Sequence, residues 1–269
     1  MLPILSEIEA LARQAGEILR ASFPGHPGGN SGLQVQYKGV IDPVTPIDLQ
    51  SEAYLIREIR TRYPDHRILT EEQGSFGHQE ENAWIIDPLD GTVNYVHGVP
   101  IFSVSIAFAQ KGRLLLGVVF DPMRDECFTA ERGQGAWLNG HPIHVGAEQT
   151  LGSSLLVTGF PYDIRTNPEN NLDNYRQFSL RTQGVRRLGS AALDLGYVAA
   201  GRFDGYWEIG IKPWDIAAGG LVAEEAGATV TDVRGRADYL LPPCSVLAAN
   251  ASLHPQMLKV LNEVGSPGL

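Results

Sequence analysis

The feature that most constrains the fold is the stretch Trp84–Gly98, WIIDPLDGTVNYVHG. Its apolar start, Ala83–Ile86, predicts a strand, and the Pro and Gly that follow predict a tight turn carrying Asp87 and Asp90. A short helix is predicted to begin at Thr92, directly after the turn. The chain must therefore place two carboxylates where a strand passes into a helix.

Two acids three residues apart around a turn can converge on one point, which like charges avoid unless a cation lies between them. Ligands that are all oxygen favour a hard ion, Mg²⁺ or Mn²⁺, over zinc. The backbone N–H groups of Gly91 and Thr92 would then face outward at a helix N-terminus, which is a natural seat for an anion. A metal beside an anion seat indicates phosphate chemistry.

An ordinary turn is the alternative, because Asp, Pro and Gly are turn residues for local reasons. Three further acids bear on the choice. Glu71 follows a predicted strand at Arg67–Thr70, Asp215 lies in the first turn of a helix that Pro213 begins, and Asp48 closes a predicted capping box with Thr45. Each acid taken alone fits a structural role, since acids are favoured in the first turn of a helix.

Together these residues resemble the inositol monophosphatase family of metal-dependent, lithium-sensitive phosphatases. The resemblance is carried by Asp87–Tyr95 (DPLDGTVNY) and Trp214–Gly219 (WDIAAG), and it covers nearly the whole chain in order. The supporting pieces are Val44–Asp48, Glu71–Glu72, Leu188–Leu193, Trp207–Gly210 and Glu225–Gly227.

The resemblance implies a site for two or three Mg²⁺ ions, with Mn²⁺ as an alternative. Glu71, Asp87 and the backbone carbonyl of Leu89 would hold the first ion. Asp87, Asp90 and Asp215 would hold the second, so that Asp87 bridges the pair. A third, weaker ion would lie near Glu71, bound mostly through water.

The same resemblance implies roles around the metals. Thr92, hydrogen-bonded to Asp48, would orient and help deprotonate the attacking water, with assistance from Glu71. The N–H groups of Gly91 and Thr92 would bind phosphate oxygens. Glu208 falls where the family contacts hydroxyls of the substrate polyol.

The implied function is hydrolysis of inositol monophosphates, and the implied substrate is a small phosphorylated polyol or sugar. Fructose 1,6-bisphosphate, histidinol phosphate and a nucleotide 3′-phosphate remain alternatives within the same chemistry. Asn94–Gly98 and Glu208 favour the inositol type. An alternative of another class is a regulatory binding protein, because some bacterial members are associated with the transcription machinery. A homodimer and inhibition by lithium are further expectations from the resemblance.

Composition agrees with the enzyme that the resemblance implies and favours a cytoplasmic location, and the order of elements indicates a mixed α+β or α/β fold. No stretch approaches the ~20 apolar residues of a membrane span, and the two cysteines indicate no disulfide framework. A net charge of −10 argues against direct binding of nucleic acid. We expect an α+β half at residues 1–146 and an α/β half at 147–269, arranged as the layered αβαβα sandwich of sugar phosphatases that the resemblance implies.

The segment Phe23–Gln36 is rich in Pro and Gly, too many breakers for regular structure. One hypothesis makes it a mobile flap that closes over the substrate and shields the metals. The alternative is a passive connector between a helix and a strand.

Overall fold

The computed structural model describes residues 2–24, 35–39, 41, 43–77 and 79–264. Most of the hypothesised flap, residues 25–34, lies outside the described residues. Within the described ranges, no helix is both long and apolar enough to cross a membrane.

Two long helices open the chain. They are α1 (Leu5–Ser22) and α2 (Pro46–Arg62), separated by a small antiparallel pair, β1 (Gln36–Tyr37) and β2 (Pro43–Val44). Thr45 caps α2, since its hydroxyl accepts from the Asp48 amide at 3.4 Å while its own amide donates to Asp48 Oδ2 at 2.9 Å. This reciprocal pair confirms the predicted capping box.

An eight-stranded sheet and one short helix follow. The strands are β3 (His66–Thr70), β4 (Gly74–Phe76), β5 (Gln79–Asp90), β6 (Ser103–Gln110), β7 (Arg113–Asp121), β8 (Glu126–Glu131), β9 (Gly135–Leu138) and β10 (His141–Pro142), with α3 (Thr92–Val96) after β5. Their order is β10-β9-β8-β7-β6-β5-β3-β4. The strands from β5 to β10 form an antiparallel meander, whereas β3 pairs parallel with β5.

The rest of the chain alternates strands and helices. After a 3₁₀ turn at Leu151–Ser153 come β11 (Leu155–Thr158), α4 (Leu172–Ser179), β12 (Gly184–Arg186), α5 (Ala191–Ala199), β13 (Gly205–Ile211), α6 (Pro213–Glu225), β14 (Thr229–Thr231), β15 (Cys244–Ala249) and α7 (His254–Val264). The five strands form a second sheet in the order β12-β11-β13-β15-β14.

The layers confirm the αβαβα sandwich. Helices α1 and α2 cover the outer face of the large sheet, α5 and α6 pack between the two sheets, and α4 and α7 cover the far face of the small sheet. Neighbouring residues of the small sheet face different cores: Trp207 packs towards α4 and α7, whereas Tyr206 packs towards α5 and α6. The division into halves at residue 146 stays a prediction, since α5 and α6 share one core with both sheets.

Candidate active site

One cavity of about 200 Å³ collects the acids that the sequence analysis singled out. Its lining includes the eight predicted positions Glu71, Asp87, Leu89, Asp90, Gly91, Thr92, Glu208 and Asp215. They come from the end of β3, the end of β5, the start of α3, β13 and the first turn of α6. Asp48, the remaining predicted residue, lies behind Thr92 and contacts it from α2.

A β-bulge orients Asp87 and Asp90. Asp87 pairs with Ser105 and Asp90 with Ser103, so three steps along β5 match two steps along β6. In a regular strand, residues three apart point to opposite faces, but one inserted residue returns them to the same face. The sequence suggested a turn beyond the strand, whereas the structure continues β5 through Asp90 and aims both carboxylates by this irregularity.

Asp90 is held by the N-terminus of α5. Ser190 Oγ donates to Asp90 Oδ2 at 2.5 Å, and the amides of Ala192 and Ala191 donate to its two oxygens at 2.8 and 3.3 Å. Burial raises the pKa of Asp90 to about 6, and these hydrogen bonds oppose the rise. The three donors therefore fix the carboxylate while favouring its charged form.

Asp87 is buried and Asp215 is half-buried, and their negative charges repel one another. Burial and then the negative charges of Glu71, Asp90 and Asp215 raise the pKa of Asp87 well above its usual range. Burial, followed by Asp90 and Glu71, does the same to Asp215, although the Lys212 amide donates to Asp215 Oδ2 at 2.9 Å. Close carboxylates of this kind gain stability from a shared cation.

Glu71 follows β3 and forms an ion pair with Lys38. Lys38 Nζ lies 2.9 Å from Glu71 Oε1 and 2.6 Å from Glu72 Oε1. Burial would lower the pKa of Lys38, but the two glutamates outweigh burial and raise it. Lys38 is 33 residues from Glu71 along the chain, and no sequence motif joins the two.

Thr92 connects the cavity to α2. Its hydroxyl lies 3.1 Å from Asp48 Oδ1 and 3.1 Å from the carbonyl of Leu89, and it can donate to one of them at a time. Burial raises the pKa of Asp48 to about 6, while bonds from Thr45 and Thr92 oppose the rise. The expected contact between Thr92 and Asp48 is present.

Gly91 joins β5 to α3 in a conformation that suits glycine. Its φ is +100°, and a Cβ built there would lie 3.1 Å from the carbonyl oxygens of Gly189 and Ile101. Side chains are rarely accommodated in such a position. Gly91 therefore lets the chain turn into α3 beside the cavity.

Glu208 lies at another side of the cavity, where Tyr206 OH donates to its Oε2 at 2.6 Å. Burial raises the pKa of Glu208 to about 7. Asp194 also lines the cavity and is buried, and its Oδ1 has no hydrogen-bond partner among the described residues. The sequence does not single out Asp194; its position directly after the Leu188–Leu193 segment is the available signal.

The donor set suits a hard divalent cation. Asp87, Asp90 and Asp215 contribute only oxygen, and Asp87 and Asp90 are at most 8 % exposed. Within the described ranges, no three His, Cys, Asp or Glu side chains already stand as a ready-made metal cluster. Lys38 instead donates to Glu71, and Ser190 donates to Asp90. Asp87 and Asp215 each accept a hydrogen bond from a backbone amide. Asp90 and Glu71 raise the pKa values of both Asp87 and Asp215, so the four acids are near neighbours in the cavity.

Comparisons with known proteins identify the family of this chain. The sequence pattern of the Inositol monophosphatase family matches residues 2–266. Nus factor SuhB of Pseudomonas aeruginosa is 42 % identical over 100 % of this chain and 99 % of its own, and inositol-1-monophosphatase of Mesorhizobium japonicum is 40 % identical over 97 % and 96 %. The solved inositol monophosphatase of Anabaena (Nostoc) sp. PCC 7120 superposes with a TM-score of 0.85 at 42 % identity, covering 96 % of this chain and 95 % of that one. The chain belongs to the inositol monophosphatase family.

Proposed function

We propose that this protein is a Mg²⁺-dependent phosphomonoesterase that hydrolyses inositol monophosphates. The observation that carries the proposal is the convergence of Glu71, Asp87, Asp90 and Asp215 on one cavity beside Gly91 and Thr92. Phosphate monoesters react through a loose transition state, so a catalyst mainly positions groups and stabilises charge. A cavity lined by buried acids meets that need when cations neutralise it.

Five groups would hold the metal ions. Glu71, Asp87 and the Leu89 carbonyl would bind one ion, and Asp87, Asp90 and Asp215 a second, with Mn²⁺ as an alternative to Mg²⁺ and a weaker third ion near Glu71. Two divalent cations would supply Lewis-acid polarisation of the phosphate and a lower pKa for water. The four carboxylates carry a charge of about −4, which two such cations balance.

Thr92 and Asp48 would handle the proton of the attacking water. Thr92 lines the cavity and its Oγ1 lies 3.1 Å from Asp48 Oδ1, so the hydroxyl would accept from the water while donating to the carboxylate. Glu71 would assist as a further acceptor. The amides of Gly91 and Thr92 would bind phosphate oxygens, and Glu208 would accept from a hydroxyl of the polyol.

Other small monoesters are alternative substrates of the same chemistry, including fructose 1,6-bisphosphate and histidinol phosphate. The Mesorhizobium relative and the Anabaena structure, both named inositol monophosphatases, favour the inositol type.

A regulatory binding role is a second candidate function. It is favoured by the name Nus factor, which the relative from Pseudomonas aeruginosa carries. Retention of every proposed metal ligand favours catalysis, and one protein can perform both roles. A variant without phosphatase activity that still rescues the phenotype of a deletion strain would support the binding role.

The homodimer, lithium inhibition and cytoplasmic location expected from the resemblance and the composition stay predictions. Sedimentation velocity tests the first, and a single species near 29.3 kDa would contradict it. Phosphate release with increasing LiCl tests the second.

The deciding experiment measures phosphate release from inositol 1-phosphate, fructose 1,6-bisphosphate, histidinol phosphate and adenosine 3′,5′-bisphosphate, each with Mg²⁺ and with EDTA. Metal-dependent turnover that is fastest on inositol 1-phosphate is the expected result. A different preferred substrate would keep the mechanism and change the specificity. No turnover of any of the four, with metal binding verified, would overturn the proposed activity in favour of the regulatory role.

A further inference from the structure

Glu52 is a buried acid on α2 that reaches the turn carrying Glu71. Its Oε1 accepts from Thr70 Oγ1 at 2.6 Å, from the Glu72 amide at 3.0 Å and from the Gln73 amide at 3.2 Å. These three donors flank Glu71 on both sides. One carboxylate oxygen therefore ties down the turn between β3 and β4 at the point where Glu71 enters the cavity.

Burial of the Glu52 carboxylate lowers the stability of the fold, which indicates a role in the site. Glu52 is fully buried, and among the residues that the structure describes its Oε2 has no hydrogen-bond partner. Burying a carboxylate with an oxygen unpaired is unfavourable. Asp48 lies four residues earlier on the same helix and is also buried, although like charges at this spacing destabilise a helix. Local rules broken together in this way are expected at functional sites.

The contacts of α2 extend along one side of the cavity. Asp48 accepts from Thr92, and Ser51 Oγ donates to the carbonyl of Pro88 at 3.0 Å, next to the proposed ligand Leu89. Glu52 adds the turn that holds Glu71. A single helix thus contacts three separate segments that present proposed catalytic or metal-binding groups: α3, the end of β5 and the turn after β3.

We propose that Glu52 is a positioning residue that holds Glu71 in place for the metal ion. Resting on the proposed function, this inference assigns to Glu52 no contact with the substrate or the metal. Without the Glu52 carboxylate, the amides of Glu72 and Gln73 would bind other acceptors, and the turn would hold Glu71 in several orientations. Loss of the Glu52 carboxylate should therefore weaken metal binding rather than merely lower stability.

The test measures Mn²⁺ binding to the metal-free full chain by electron paramagnetic resonance, without substrate, well below the unfolding temperature. We expect Glu52→Ala to raise the Kd for Mn²⁺ about 10- to 100-fold, the usual effect of removing a group that orients a ligand. Glu52→Gln keeps an oxygen that can accept the three bonds, and its Kd should lie closer to that of the wild type. Glu58→Gln is the matched control, because Glu58 lies on the same helix and pairs with Arg57 and Arg62.

A second variant covers the case in which Glu52→Ala does not fold. Thr70→Val removes one of the three donors with little change in shape, and we expect a rise in Kd of roughly 3- to 10-fold, equivalent to one lost hydrogen bond. Wild-type Kd values in folded Glu52→Ala, or in Thr70→Val when the former is unfolded, would overturn the inference. Equal weakening by Gln and Ala would assign the effect to charge and would also overturn it.

The wild type separates the two proposals. Failure of the wild type to bind Mn²⁺ would overturn the proposed function and this inference together. Binding by the wild type that persists unchanged in the variants would remove only the role of Glu52. With inositol 1-phosphate at saturating Mg²⁺, we expect the kcat of Glu52→Gln to lie closer to the wild-type value than the kcat of Glu52→Ala does. A purely structural defect would not show this difference.

Discussion

Ser190 and Asp90 are bound to each other across 100 positions of the sequence: the serine hydroxyl donates to Asp90 Oδ2 at 2.5 Å. The same hydroxyl accepts from the Leu193 amide at 3.4 Å and so caps α5. The N-terminus of α5, which packs between the two sheets, is therefore hydrogen-bonded to an acid of the proposed metal site. Formation of the site and docking of α5 are coupled through this pair.

Ser190→Ala should lower both stability and activity. It removes the α5 cap and a hydrogen bond to a buried carboxylate, and we expect a loss of about 1–3 kcal/mol in the free energy of unfolding. Chemical denaturation measures it, with Ser190→Thr as the variant that keeps the hydroxyl. Unchanged stability together with unchanged Mg²⁺ activation would show that the pair couples nothing.

Asp90→Asn should abolish turnover at modest Mg²⁺ concentrations. The change keeps the shape of the side chain but removes the charge of a proposed metal ligand and turns an amide towards the donors from α5. Phosphate release as a function of Mg²⁺ measures the effect, with Asp65→Asn in an exposed turn as the control. Near-wild-type activity of Asp90→Asn would contradict the proposal that Asp90 is a metal ligand.

Thr92→Ala should leave metal binding largely intact and lower kcat. The hydroxyl that connects water to Asp48 is lost, and positioned proton transfer typically contributes roughly 10²- to 10⁴-fold to rate. Steady-state kinetics and Mn²⁺ binding, measured side by side, test both parts. A change confined to KM would argue against a role on the water.

The pH dependence of kcat should show an acidic limb from Asp48. The proton acceptor must be ionised, and burial raises the pKa of Asp48 from 3.8 to about 6, so activity should fall as the pH drops through that value. A bound cation lowers the pKa, which places the limb at or below about pH 6. Asp48→Asn should flatten the limb and lower the plateau. A limb that persists unchanged in this variant would assign it to another group.

Mg²⁺ should raise the melting temperature, and EDTA should reverse the gain. Cations relieve the repulsion among Asp87, Asp90 and Asp215 only in the folded chain, where burial and neighbouring charges raise their pKa values. At 100 times Kd the ligand adds about 2.7 kcal/mol, or roughly 5–10 °C for a chain of this size. Scanning calorimetry measures the shift. Equal melting temperatures with Mg²⁺ and with EDTA would contradict metal binding at this site.

Much of the secondary structure follows from local sequence. The apolar run before Asp87 predicts a strand, Thr45 and Asp48 predict a helix start, and Pro213 predicts the first turn of α6; the structure has all three. These patterns succeed because caps, turns and hydrophobic periodicity act over a few residues. The sequence does not predict the short strands β1, β2, β4, β9, β10, β12 and β14, because two to four residues carry too little periodicity.

The sequence predicts the chemistry of the site, since oxygen ligands beside a Gly-containing turn indicate binding of a metal ion and a phosphate in any fold. Their arrangement was decided by tertiary structure. Only the pairing of β5 with β6 creates the bulge that turns Asp87 and Asp90 to one face, and only packing brings Lys38 to Glu71, Glu52 to its turn and Ser190 to Asp90. The sequence determines the chemistry because it lists the functional groups, whereas distances between groups far apart along the chain exist only once the layers have packed.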